Sequence, residues 1–142
     1  MTIEELKSLL TKANECYDNG NYDEAETLAV ELLAELEKIG ESGDTVTASQ
    51  RDTTHCEALI TLSAGNWKRG DLETALSSAR AALDLAEEKN ITGDTYAKAL
   101  GNIGNVYLLL SDYPQALTYH QKALAINEEI GSKNGIAKIS AA

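Results

Sequence analysis

A six-residue motif occurs three times in this chain, and no other feature limits the fold as tightly. It reads Gly20-Asn21-Tyr22-Asp23-Glu24-Ala25, then Gly70-Asp71-Leu72-Glu73-Thr74-Ala75, then Ser111-Asp112-Tyr113-Pro114-Gln115-Ala116. In each copy a small residue suits the end of one helix, a polar residue suits the cap of the next, and an alanine opens a new apolar stripe. A helix–turn–helix unit cannot bury its apolar face alone, so such units must stack on one another. Composition agrees. Alanine and leucine are abundant, phenylalanine is absent and Pro114 is the only proline, a balance that favours helices over sheets.

The flanks of each motif have helical periodicity. The first segment runs from about Thr2 to Asp18, with Ile3, Leu6, Leu9, Leu10, Ala13, Cys16 and Tyr17 at three-and-four spacing. After the motif come Ala25, Leu28, Ala29, Leu32, Leu33, Leu36 and Ile39, with Asn21 and Glu24 forming a capping-box pattern. The second unit has Leu59, Ile60, Leu62, Ser63, Asn66 and Trp67 before its turn. Its start stays open between two cap-like pairs, Asp44-Thr45 and Asp52-Thr53. The third starts near Asp94, and Pro114 fits the first turn of its second helix. The units fall at about 2–40, 45–90 and 92–131 of a single domain spanning 1–142. Glu129-Ile130-Gly131 echoes Lys38-Ile39-Gly40, and Ala137-Lys138 follows Ala97-Lys98 by 40 residues, so 132–142 reads as part of a fourth helix.

Small residues recur 12 apart across each turn: Ala13 and Ala25, Ser63 and Ala75, Gly104 and Ala116. They are predicted to face each other and to let antiparallel helices approach closely. Ala82 and Ala123, with Leu32 in the first unit, are placed to meet the following hairpin.

Several function classes drop out. The net charge is −11, and residues 1–45 carry −9 of it while 91–142 are neutral. An acidic chain repels phosphate backbones, so nucleic acid is not expected as a partner. No apolar run approaches the roughly 20 residues needed to span a bilayer. The acidic start Met1-Thr2-Ile3-Glu4-Glu5 does not resemble a secretory signal, and a cytoplasmic location is expected. Cys16, Cys56 and His55 have no metal-ligand spacing, so no metal is expected. Phosphate-binding glycine loops, a G-x-S-x-G elbow and H-E-x-x-H are absent, so neither a catalytic centre nor a cofactor is expected. His120 sits on an apolar stripe and reads as a packing residue.

The residues Leu100, Ile103-Gly104, Tyr107, Tyr113, Ala116, His120 and Ala123 resemble the tetratricopeptide repeat family, in its longer variety of roughly 40 residues. Ala75 and Ala116 are 41 apart, and Ala25 and Ala75 are 50 apart, which places about ten extra residues within 41–54. The resemblance implies an all-α, right-handed superhelix of antiparallel hairpins, with three repeats and a partial fourth helix. It implies a protein-interaction scaffold rather than an enzyme, with the first helix of each hairpin lining a concave peptide groove. The groove candidates are Asn14, Tyr17, Thr61, Trp67, Lys68, Lys98, Asn102, Asn105 and Leu108. Asparagine suits such a groove because one amide both donates and accepts. The clamp by which some family members hold a chaperone's C-terminal carboxylate is incomplete. Asn14 and Lys98 match it, but Leu10, Thr61 and Asn102 replace the other polar or cationic groups. The longer repeat is common in bacterial signalling proteins, so the alternative is a regulatory or sensory region of a larger enzyme of cyclase or histidine kinase type. A third reading is self-association, a homodimer formed through the C-terminal end with Ile130, Ile136 and Ile139 at or near the contact.

Overall fold

The computed structural model describes residues 2–39 and 48–141, without the side chains of 39 and 132–141. The chain folds into α1 (Ile3–Asp18), α2 (Tyr22–Ile39), α3 (Ala48–Lys68), α4 (Leu72–Glu88), α5 (Asp94–Leu109) and α6 (Tyr113–Ala141). No strand occurs among the described residues. The helices pair as hairpins α1–α2, α3–α4 and α5–α6. The first helices form one layer, in which α3 touches both α1 and α5, and the second helices form the other.

The motif builds the same turn three times. At the first, the Asn21 N–H reaches back to the Cys16 carbonyl (2.7 Å) and the Gly20 N–H to that of Tyr17 (3.1 Å). Asp71 and Gly70 repeat this on Asn66 and Trp67, and Asp112 and Ser111 on Tyr107 and Leu108. Each pair of bonds satisfies carbonyls that a helix end would otherwise orphan, and it requires a left-handed residue at the turn. Gly20 (φ 82°) and Gly70 (φ 87°) adopt that conformation without a Cβ penalty, whereas Ser111 (φ 64°) does not. Ser111→Gly is therefore expected to stabilise the protein by up to about 1 kcal/mol. A urea titration showing no gain, or a loss, would contradict this. Asp71 and Asp112 then cap the next helices by accepting from the N–H groups of Thr74 (3.3 Å) and Gln115 (3.4 Å).

The small-residue pairs are buried throughout. Ser63 and Ala75 meet directly, the Ser63 hydroxyl donating to the Ala75 carbonyl at 2.7 Å. Gly104 differs from the expected pairing. A Cβ there would meet the His120 ring first, at 2.9–3.1 Å. His120 holds the repeat position of Ala29 and Ala79, so a larger residue on α6 is matched by a smaller one on α5. Its role is packing. Around these contacts lie Leu6, Leu10, Leu32 and Leu36 in the first hairpin and Leu83, Leu100, Ile103 and Val106 in the last two.

Two boundaries depart from the sequence reading. Asp52-Thr53 lies inside α3, which starts at Ala48; Asp44-Thr45 falls outside the described residues. Part of the extra length at the first junction is thus helical, an added turn at the start of α3. At the other end α6 does not break at Gly131, so 132–141 extend it rather than starting a separate helix. Glycine inside a helix costs about 1 kcal/mol relative to alanine but does not forbid helical dihedrals. Gly131 has none of the positive φ seen at Gly20 and Gly70, and no proline follows it.

Candidate functional site: a groove across the first helices

The layer of α1, α3 and α5 forms an open-mouthed cavity of about 330 Å³. Asn14, Tyr17 and Asp18 line it from α1, Glu57, Ile60, Thr61 and Ala64 from α3, and Lys98 from α5. Spacings of three and four put each set on one helix face. A second depression of about 500 Å³ shares Asn14 and Glu57, and runs on between Lys7, Leu10 and Thr11 of α1 and Ser49, Gln50, Thr53 and Thr54 of α3. The added turn of α3 supplies Ser49 and Gln50 of this second wall, the part that the open start of that helix concealed from sequence reasoning.

Hydrogen bonds fix the lining. The Thr61 hydroxyl donates to the Asn14 amide oxygen at 2.6 Å, which leaves the Asn14 N–H groups available to donate. Thr95 donates to the Glu57 carboxylate (3.1 Å), and Lys98 pairs with Asp94 (3.1 Å) one turn back. Burial, helped by neighbouring Tyr22 and Asp18, pushes the Tyr17 phenol above its usual range, so it enters the groove as a neutral O–H. Ile60 and Ala64 supply the apolar part of the wall.

The structure therefore brings Asn14, Tyr17, Thr61 and Lys98 together. The other candidates lie outside this cavity. Asn102 is 7% exposed, and its amide is engaged on both sides. Its oxygen accepts from Trp67 Nε1 (3.0 Å), and its nitrogen donates to Ser63 Oγ (2.8 Å). With the Ser63–Ala75 bond this makes a continuous chain from α5 through α3 to α4. The expectation of a free groove amide at Asn102 is corrected accordingly. Trp67 is half-buried in the same chain, with Lys68 Nζ 4.7 Å from its ring centroid. Asn105 is half-buried, and Leu108 is exposed. Thr61 and Asn102 hold one repeat position, two residues before Ser63 and Gly104, and each reaches back to the preceding first helix. That equivalence is the sequence signal for the stitch.

With Leu10 buried and Asn102 engaged, Lys98 is the one cation lining the first cavity among the described residues. Cys56 is fully buried, its thiol pushed up to about 11 by burial and, secondarily, by Glu57; it donates to the Ala82 carbonyl at 3.4 Å. Among the described residues no group of three or more His, Cys, Asp or Glu could hold a metal ion, and no helix is long and apolar enough to cross a membrane. Ile130 is half-buried on α6, while the side chains of Ile136 and Ile139 lie outside the described residues.

The sequence profile of the tetratricopeptide repeat matches residues 54–129. The chain belongs to the tetratricopeptide repeat family. Its fold is the all-α helical repeat solenoid, a superhelix of antiparallel hairpins. The crystal structure of the tetratricopeptide repeat domain of Arabidopsis FLU is similar to it, with a TM-score of 0.72 at 19% identity, covering 89% of this chain and 97% of that one. No curated protein sequence matches the chain significantly. Tetratricopeptide repeats are generic protein–protein interaction modules, and this chain has their fold.

Proposed function

We propose that the chain binds an extended segment of a partner protein in the groove between α1, α3 and α5. The observation that carries this reading is the cavity to which all three first helices contribute. Its chemistry suits a peptide. The Asn14 N–H groups and the Tyr17 hydroxyl meet backbone polar groups, Ile60 and Ala64 seat an apolar side chain, and Lys98 faces a carbonyl or carboxylate. Asp18 and Glu57 on the same wall disfavour strongly acidic segments. The chaperone-tail clamp is disfavoured, because its charge-assisted donors are not assembled. The same groove serves equally as the input surface of a regulatory region in a larger signalling enzyme.

A phage-displayed random peptide library panned on the full chain supplies the probe, and calorimetry with the selected synthetic peptides supplies the readout. Asn14→Ala combined with Lys98→Ala is expected to weaken binding about tenfold or more, or roughly 1.4 kcal/mol. Helicity should not change, because both side chains are exposed. Selected peptides that bind the double variant as tightly as the parent would place recognition outside this groove.

A further inference from the structure

The outer face of α6 carries Tyr113, Leu117 and Leu124, which are 62%, 59% and 56% exposed. Gln121 and Glu128, also exposed, complete the same stripe at spacings of three and four. The chain itself shows what such a face accommodates. Counted from the motif alanine, Leu117 and Leu124 hold the places of Leu76 and Leu83 on α4. Leu76 is partly buried and Leu83 is 3% exposed, because the third hairpin packs over α4. Among the described residues nothing covers the matching face of α6. Exposed apolar side chains clustered on one helix face among polar groups are a usual form of an interaction surface.

We propose that this face of α6 pairs with the same face of a second copy of the chain, in an antiparallel, two-fold helix contact. Two observations select that occupant. The first is charge. Residues 91–142 are neutral, whereas residues 1–45 carry −9, so pairing through α6 joins the neutral ends and keeps the acidic ones apart. A head-to-tail stack would instead set the leucines against α1, whose exposed Glu5, Ser8, Lys12 and Glu15 offer no apolar counterpart. The second is self-complementarity. About a two-fold axis between His120 and Gln121, Leu117 of one copy meets Leu124 of the other. Tyr113 meets Glu128, whose carboxylate can accept from the phenol. A two-fold contact contains each of these pairs twice.

This moves the self-association surface from Ile130, Ile136 and Ile139 to the first four turns of α6. It is independent of the groove, which lies in the other helix layer, so either proposal can fail alone. Sedimentation velocity of the full chain across the micromolar range should show a dimer. Leu117→Glu and Leu124→Glu, and the milder Leu117→Gln, should sediment as monomers with unchanged helicity and melting. Ile136→Glu with Ile139→Glu should remain dimeric. In a Cys16→Ser background, an oxidised mixture of Leu117→Cys and Leu124→Cys chains should cross-link to each other in preference to themselves. A parent chain that is monomeric at high micromolar concentration overturns the proposal. So does a dimer that survives both glutamate variants or is lost in the isoleucine pair.

Discussion

Replacing Gly104 with leucine is expected to cost the fold about 3 kcal/mol, at the upper end of what overpacking a core contact usually costs. The site has no room even for one carbon. A Cβ would sit 2.9 Å from Nε2 of His120, closer than real Cβ contacts come, and 3.0 Å from its Cδ2, tighter than most of them. Gly104→Ala should already cost about 1–2 kcal/mol, because an imidazole wedged between two helices yields less readily than a flexible chain end. The cause is testable separately from the cost. If the clash is with His120, then His120→Ala should recover much of the alanine variant's loss, and the two substitutions should be strongly non-additive. Urea titrations of the single and double variants measure both quantities. A leucine variant with the parent's midpoint would show that α5 and α6 do not meet in this register.

Asn102→Ala should cost about 2–3 kcal/mol, although the residue lies in the helix layer that forms the groove. The substitution removes the acceptor of Trp67 Nε1 and a donor to Ser63, and it leaves a small void where α3, α4 and α5 converge. Asn102→Asp separates geometry from charge. It retains an oxygen for Trp67 but places a carboxylate in a site that is 7% exposed, so it should be at least as destabilising as alanine at neutral pH. Trp67 is the only tryptophan, so its fluorescence reports the loss of this bridge as well as unfolding. An exposed groove asparagine would cost less than about 0.5 kcal/mol on truncation. An alanine variant within that margin would return Asn102 to the groove.

What was legible in the sequence follows from local rules. A left-handed glycine, a capping aspartate and an apolar stripe act within a few residues of one another. Gly70, Asp71 and Ala75 therefore specify a turn and a helix start almost independently of the rest of the chain. Three such copies imply stacking, because no single hairpin can bury its own stripe. The resemblance to the repeat family assigned Asn14, Tyr17, Thr61 and Lys98 to the groove side of the array; helix geometry adds only that residues three and four apart share a face.

Only tertiary structure decided which polar side chains on that side remain free. Asn14 and Asn102 are the same residue type on equivalent helices, and periodicity treats them alike. Asn102 is held because an indole and a serine from a helix about 35 residues earlier lie within reach of both ends of its amide, which no pattern within its own helix encodes and only its repeat equivalence to Thr61 signals. The same holds for His120, which fits only because Gly104 faces it, and for the outer end of the second groove wall, Ser49 and Gln50, which exists only because α3 gains a turn over α1. Helix formation depends on neighbours along the chain. The availability of a side chain for binding depends on neighbours across it.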